Sequence, residues 1–432
     1  MINPKTNLRE LCYVVIIEEI KAIPGYDKVE YARVGGWWCI VQKGQFKVGD
    51  PAVYFEVDSR VPSDRECFAF LAKRKYKIKT IKMCGVVSQG LLMHANDFGW
   101  EVRFNHGLYV LKNHEEFISN DPFILDNNGV EHHYSDESRF LTEILGIVHI
   151  EDEDNAKFTP VDKYKAMAQR RPNIFKQKWA RRMMRREWGR KLMFALFGRK
   201  KKKSETAFPT KFPYVKRTDQ ERAENMPWVL KDKTPYIVTQ KCDGSSATYI
   251  LARTRNPFKR YEFYVCSRNV RMLNDKQQCF YDDNVYWEMA RKYDIENKMK
   301  DFLNTKYAKQ HKLTYVCWQG EICGPKIQKN PHHLSENHLF CFHMIDSAHG
   351  KFDMRDAERI WFGYNMEIVP IVDTSYRMPD DFDEFKKSAD GFYSTQVTEG
   401  NRECPREGYV YYKTTDPNFS FKSVSNEYLL NH

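Results

Sequence analysis

Between Lys163 and Lys203 seventeen Lys and Arg stand against a single acid, Glu187. That stretch carries +16 of a whole-chain formal charge of +11, which leaves the rest of the chain at −5. So cationic a segment divides the chain, and at 432 residues there is material for more than one core on either side of it. Its charge points to a polyanion, either nucleic acid or an anionic membrane surface, or else to a solvated surface helix. Phe175, Trp179, Met183, Met184, Trp188 and Leu192 recur there every three to four residues, which predicts a helix with an apolar stripe flanked by arginines. The run RKKKKSE then reads as a loop and as the boundary between halves.

Both flanks are patterned for strands. From 8 to 112, LCYVVII, VEYARV, GWWCIVQKG, DPAVYFEVD and GLLMH alternate with the turn signals GYD, GG, KVGDP and SQG. Short strands at this spacing predict a small barrel or sandwich, and a compact barrel on a nucleic-acid protein suggests an OB-fold. From 208 onward TPYIVTQKCDG, SSATYILAR, YEFYVCSRN, LTYVCWQGEICG, LFCFHMID, REGYVYYKT and SFKSV read as strands, and 286–303 has helical periodicity. The expected fold class is therefore α+β.

A hydrophobic fraction of 42% with 14% aromatics excludes a largely disordered chain. No apolar run reaches the roughly 18 residues of a membrane span, and the start MINPKTNLRELCYVVII lacks a basic region and a cleavage site. A soluble, unprocessed protein is expected, cytoplasmic or acting for a virus or phage in host cytoplasm. The eleven cysteines include no C-x-x-C pair, which fits a reducing compartment and argues against zinc. The cluster EHHYSDE at 131–137 is a weak metal candidate, because adjacent histidines on a strand point to opposite faces.

The stretch VTQKCDGSSATY, 238–249, places Lys241 two residues before Asp243-Gly244, a pair suited to a tight turn with positive φ. Downstream come CSRN (266–269), WQGEICG (318–324), LFCFHMID (339–346), REGYVYYK (406–413) and SFKSVSN (420–426). In that order the series resembles the motifs of the covalent nucleotidyltransferases, the superfamily of ATP-dependent polynucleotide ligases and mRNA capping enzymes. It is most similar to ATP-dependent RNA ligases with an N-terminal OB domain, the fifth RNA ligase family. EVDSRVP (56–62), VSQGLL (87–92), FPYVKRTDQERAENM (212–226), GEICGPKIQKNP (320–331) and FKSVSNEYLL (421–430) extend the likeness over most of the chain except about 155–205.

The resemblance implies an OB-like, RNA-binding domain over 1–150, a basic helical linker or insertion over 151–205, and an adenylyltransferase domain of antiparallel sheets with flanking helices over 206–432. It makes Lys241 the nucleophile that takes AMP from ATP, before AMP passes to an RNA 5′-phosphate and is displaced by an RNA 3′-hydroxyl. A lysine amine of pKa about 10.4 must first lose its proton, for which burial and nearby positive charge are the available levers. Asp243 acts in the opposite direction and is expected to work through a divalent metal, Mg2+ or Mn2+, held with Glu407. Glu321 is assigned to the AMP ribose or a metal-bound water, Arg268 to ribose or RNA phosphate, and Lys422 to the α-phosphate. Phe342, with Phe340 as rival, is expected to stack on adenine.

Two positions depart from the family pattern. Gln240 replaces the usual Glu before the nucleophile, and Ser420 replaces the first lysine of Lys-x-Lys. Ten residues follow Lys422, too few for the C-terminal OB domain of DNA ligases and capping enzymes, which favours a ligase acting on RNA, as a nicked duplex or as ends. The partner is thus RNA, with no membrane and a monomer expected. A GTP-dependent capping-type guanylyltransferase and a non-catalytic RNA-binding protein with a degenerate ligase domain are the alternatives.

Overall fold

The computed structural model describes residues 10–98, the strand backbone between 101 and 133, 141–150, isolated positions between 174 and 215, and 220–431 apart from 257, 269, 274–283 and 401–402. Most of the basic segment 163–203 and most of the 131–137 cluster lie outside the described residues. The chain forms two compact units, one from 1–153, 218–245 and 318–432, the other from 154–217 and 246–317.

In the first unit the N-terminal strands include two three-stranded antiparallel sheets with a shared role in the core. Pro51–Phe55 is central in one, between Cys12–Ile16 and Leu91–Met93. Glu19–Ile23, Tyr26–Val34 and Trp37–Gln42 form a meander in the other. Because side chains alternate along a strand, Pro51–Phe55 serves two cores. Ala52 and Tyr54 join Ile17, Val34, Trp37 and Leu92, while Val53 and Phe55 join Val14, Phe68, Leu71 and Leu145 on the opposite face. The 3₁₀ helix Glu66–Arg74 contributes Phe68 and Leu71 to that second core; three apart, they eclipse on one side of a three-residue turn.

The C-terminal part of this unit is built on a five-stranded sheet in the order Glu221–Arg222, Asp416–Val424, Gly408–Lys413, Tyr236–Lys241, Ile371–Tyr376. One face carries Tyr236, Val238, Tyr411 and Phe421, covered by Phe382 and Phe385 of the helix Phe382–Ser388. Asp381 starts that helix, its side chain accepting from the Glu384 N–H, which satisfies one of the orphan donors of a helix start. The other face carries Ile237, Val410 and Tyr412 against Cys323, Phe340, Val369 and Tyr393.

The N-terminal sheets and this sheet meet within the unit at Trp37 and Trp38. Trp37 Nε1 donates to Asn225 Oδ1 at 2.8 Å and Trp38 Nε1 donates to Asp383 Oδ1 at 3.3 Å. Beside them Lys386 and Glu224 form a buried ion pair at 2.6 Å, the ammonium also donating to Val424 O at 2.7 Å. Burying two charges this deeply adds little net stability but makes loss of either partner costly.

The strand Ser245–Arg253, all but its first residue in the second unit, pairs antiparallel with Tyr261–Ser267, and Arg271–Met272 adds to that edge. The helical period over 286–303 resolves into two helices, Val285–Lys292 and Ile295–Asn304. Asp294 between them takes a left-handed backbone with φ 48°, which breaks the ladder there.

Phe421 is the clearest probe of the five-stranded sheet. It is fully buried, stacked on Tyr411 with centroids 5.1 Å apart and packed edge-on to Tyr236. Phe421→Ala is expected to cost about 3–5 kcal/mol in urea unfolding; a loss below about 1 kcal/mol would show that the face is not closed around it.

Candidate active site

Lys241 ends the strand Tyr236–Lys241, which is flanked by Ile371–Tyr376 and Gly408–Lys413. The turn after it is therefore not the bend of a hairpin. Nor does Gly244 have a positive φ, contrary to the expectation from Asp-Gly. Glycine is needed there for close approach: a Cβ would stand 2.3 Å from Ile322 O, 2.9 Å from Cys323 Sγ and 3.0 Å from Glu321 Cγ. Its absence lets the turn lie against the strand that carries Glu321.

A second glycine sets the opposite wall. Gly408 pairs with Lys241, has φ +147°, and would bring a Cβ within 2.0 Å of Ser423 O. Glu407, immediately before it, faces the nucleophile candidate: Lys241 Nζ donates to Glu407 Oε2 at 2.6 Å. The Tyr393 hydroxyl oxygen joins the two walls, accepting from the N–H of Asp243 at 3.2 Å and of Glu407 at 3.1 Å.

Register places Lys422 with this group. Thr239 pairs with Val410 and Val410 with Lys422, and residues directly paired point to one face. Thr239 and Lys241 alternate together, so Lys422 lies on the face of Lys241, one row further in. Ser420 is on that face too, opposite Tyr412, and Lys351 Nζ stands 3.5 Å from Ser420 Oγ. A second cation thus reaches the position where the first lysine of the family pattern is missing, and burial lowers its pKa.

Electrostatics make the resting state of Lys241 plain. Burial disfavours its charge, but Glu407, Glu321 and Asp243 together outweigh burial and raise its pKa above the ordinary value. The amine is held as an ammonium. The same three carboxylates supply hard oxygen donors, and among the described residues no three His, Cys, Asp or Glu side chains are arranged to enclose a metal. That donor set fits magnesium or manganese, which needs one or two carboxylates and completes its shell with water and phosphate oxygens.

Of the aromatic pair, Phe340 is 2% exposed and belongs to the core, whereas Phe342 is half-buried at the edge of that core. Phe342 is the one with a face to offer. Gln240 is buried, its carboxamide oxygen accepting from the Ser394 N–H at 2.9 Å, so this acceptor is already engaged in fixing the 394 loop. Arg268 follows the strand Tyr261–Ser267 in the second compact unit and is half-buried. A cavity of about 360 Å³ is lined by Phe340, Phe362, Met366, Pro370 and Ile371 but by none of Lys241, Asp243, Glu321, Glu407 or Lys422.

Three supporting residues escaped the sequence reading. Tyr393 is one. Behind it, fully buried His332 packs at 4.2 Å between ring centroids, with Nδ1 3.0 Å from Val397 O; burial lowers its pKa to about 4, so it is a neutral spacer. The third is Tyr428, on the helix Asn426–Asn431, whose hydroxyl donates to Asp243 Oδ2. It lay within the matched ending FKSVSNEYLL, but only the fold brings it 185 residues back to Asp243.

Comparison with known proteins bears on the domains that carry this arrangement. Residues 11–95 match a family model described as an OB-fold domain, and residues 234–424 match the RNA ligase family model. Along the chain, an OB-fold match thus precedes an RNA ligase match. Among solved structures it is similar to a variant of Naegleria gruberi RNA ligase with ATP and Mn, at TM-score 0.63 and 24% identity over 98% of this chain and 99% of that one. The Naegleria ligase with PPi is similar at TM-score 0.61 and 24% identity, over the same shares of both chains. No curated protein sequence matches.

The Tyr428 hydroxyl gives the site a specific test. A hydrogen bond to a charged group contributes about 1.5–3 kcal/mol. Tyr428→Phe is expected to slow labelling of Lys241 by ATP about tenfold with little change in thermal midpoint; unchanged labelling would remove Tyr428 from the site.

Proposed function

We propose that the chain is an ATP-dependent RNA ligase that joins RNA 3′-hydroxyl and 5′-phosphate ends through a lysine-AMP intermediate. The observation that carries this reading is the meeting of Lys241 with Glu407 at 2.6 Å, inside a set of carboxylates and with Lys422 on the same sheet face. Lys241 Nζ attacks the α-phosphorus of ATP, forming the N–P bond as the P–O bond to pyrophosphate breaks. Glu407 is the nearest acceptor for the proton that the ammonium must lose. A divalent cation held by Asp243 and Glu407 would neutralise the charge that keeps Lys241 protonated. Lys422 offsets charge on the α-phosphate, and Lys351 beside Ser420 supplies the second cation that the missing lysine would have given.

In this proposal Phe342 stacks on adenine, Gln240 shapes the adenine edge, Glu321 contacts the ribose or a metal-bound water, and Arg268 binds ribose or RNA phosphate. The RNA-binding OB domain comprises 1–150, the basic linker or insertion 151–205 and the adenylyltransferase domain 206–432. The partner is RNA, as a nicked duplex or as ends, and the enzyme acts as a monomer in the cytoplasm or for a virus or phage there. Among the described residues no helix is long and apolar enough to cross a membrane.

Covalent labelling tests the reading. Incubated with ATP or GTP labelled at the α-phosphate and then denatured, the protein should retain label from ATP, and Lys241→Ala should retain none. Label from GTP alone, or from neither nucleotide, would overturn it.

A further inference from the structure

The OB domain contains a second basic stretch that the chain-wide charge conceals. Residues 67–96 hold Lys73, Arg74, Lys75, Lys77, Lys79 and Lys82 and no Asp or Glu. Five of these side chains are exposed and Lys77 is half-buried. Among the described residues none of the six has an ion-pair partner. Like charges repel, so six cations within ten positions of chain and without ion-pair partners carry a cost that a bound polyanion relieves.

Its construction is firm. Phe68 and Leu71 anchor the 3₁₀ helix Glu66–Arg74 in the core, and Lys75 and Tyr76 follow with left-handed φ of 54° and 60°. Tyr76 N–H donates to Leu71 O at 3.0 Å and Val61 N–H to Tyr76 O at 3.0 Å, which pins the reversal to the barrel. Phe70, 60% exposed, and Met83, 40% exposed, give the basic surface apolar contact points of the sort that stack on or pack against bases.

Its place in the fold links it to the reacting groups. Ile81–Met83 pairs with Val86–Ser88, with Lys82 opposite Val87. Val86–Ser88 packs against the helix Asn426–Asn431, and Tyr428 of that helix donates to Asp243. One strand and one helix therefore separate Lys82, at the end of the basic stretch, from the turn that presents Lys241, all within the first compact unit.

We propose that the surface formed by Lys73, Arg74, Lys75, Lys77, Lys79 and Lys82 holds the phosphate backbone of the RNA whose end is joined at Lys241. This rests on the ligase reading for the identity of the polyanion, and it assigns the docking of that substrate to the OB domain. Contact with phosphates carries affinity without sequence preference and is lost as salt rises.

The test uses the full chain and a fluorescently labelled nicked RNA duplex, with binding followed by anisotropy across a salt series. Replacing Lys77, Lys79 and Lys82 together by Ala should weaken binding at least about tenfold near physiological salt and reduce the slope of log K against log salt by about 3. The matching triple replacement by Arg should retain binding. Labelling of Lys241 by ATP and the thermal midpoint should be those of the unaltered protein in both variants. An Ala variant that is labelled and folded normally yet binds RNA with unchanged affinity and slope would overturn the proposal. So would loss of binding to phosphatidylserine vesicles with RNA affinity unchanged. If the unaltered protein takes no label from ATP, the ligase reading fails, and the anisotropy series still decides whether this surface binds RNA.

Discussion

The site is organised around one ion pair, Lys241 with Glu407. Lys241 ends one strand of the five-stranded sheet, Glu407 immediately precedes the neighbouring strand Gly408–Lys413, and the pairing of Lys241 with Gly408 brings them opposite. Neither a bulkier residue at 408 nor one at 244 would leave room for the surrounding strands. Tyr393 ties the backbone on both sides of the pair to a single hydroxyl, and His332 fills the space behind it. The pair is a resting state rather than a reactive one, because the carboxylates that satisfy the ammonium also keep it from becoming a nucleophile. Any cation that competes for those carboxylates weakens this hold, which couples metal binding to activation of the amine in a single electrostatic event.

The chain's last helix gives the OB-fold domain a physical connection to that event. Tyr428 reaches Asp243 from one side while the helix packs on Val86–Ser88 from the other. Trp37 and Trp38 make a second joint, at Asn225 and Asp383. The OB-fold domain is thus fastened at two places to the sheet that carries Lys241 and Lys422, and charge on its surface is held near the reaction rather than tethered by a linker.

Much of this was legible in the chain itself. The alternating runs predicted strands on both sides, and of the motif residues from Lys241 to Lys422 the sheet register places those two on one face. The tight-turn reading of Asp243-Gly244 failed because close packing and positive φ both select glycine, and only the backbone distinguishes them. Tyr393, His332 and Tyr428 act through contacts with residues 14 to 185 positions away, or through the core, and carry no local signature. The second basic stretch was hidden arithmetically: the −5 outside 163–203 is a sum in which acids elsewhere cancel six lysines and arginines at 73–82. Gln240 stands in the sequence only as a departure from the family pattern, and the fold shows its oxygen turned to a backbone task.

The central claim is that carboxylates keep Lys241 protonated until their charge is neutralised. NMR titration of the lysine 13Cε signals, with Lys241 assigned by comparison with Lys241→Arg, measures this in the ligand-free protein and again with magnesium. The account predicts a midpoint above the ordinary lysine value of about 10.4 without the cation, and a lower one with it. A midpoint below the ordinary value in the ligand-free protein, or one that magnesium leaves unmoved, would contradict it.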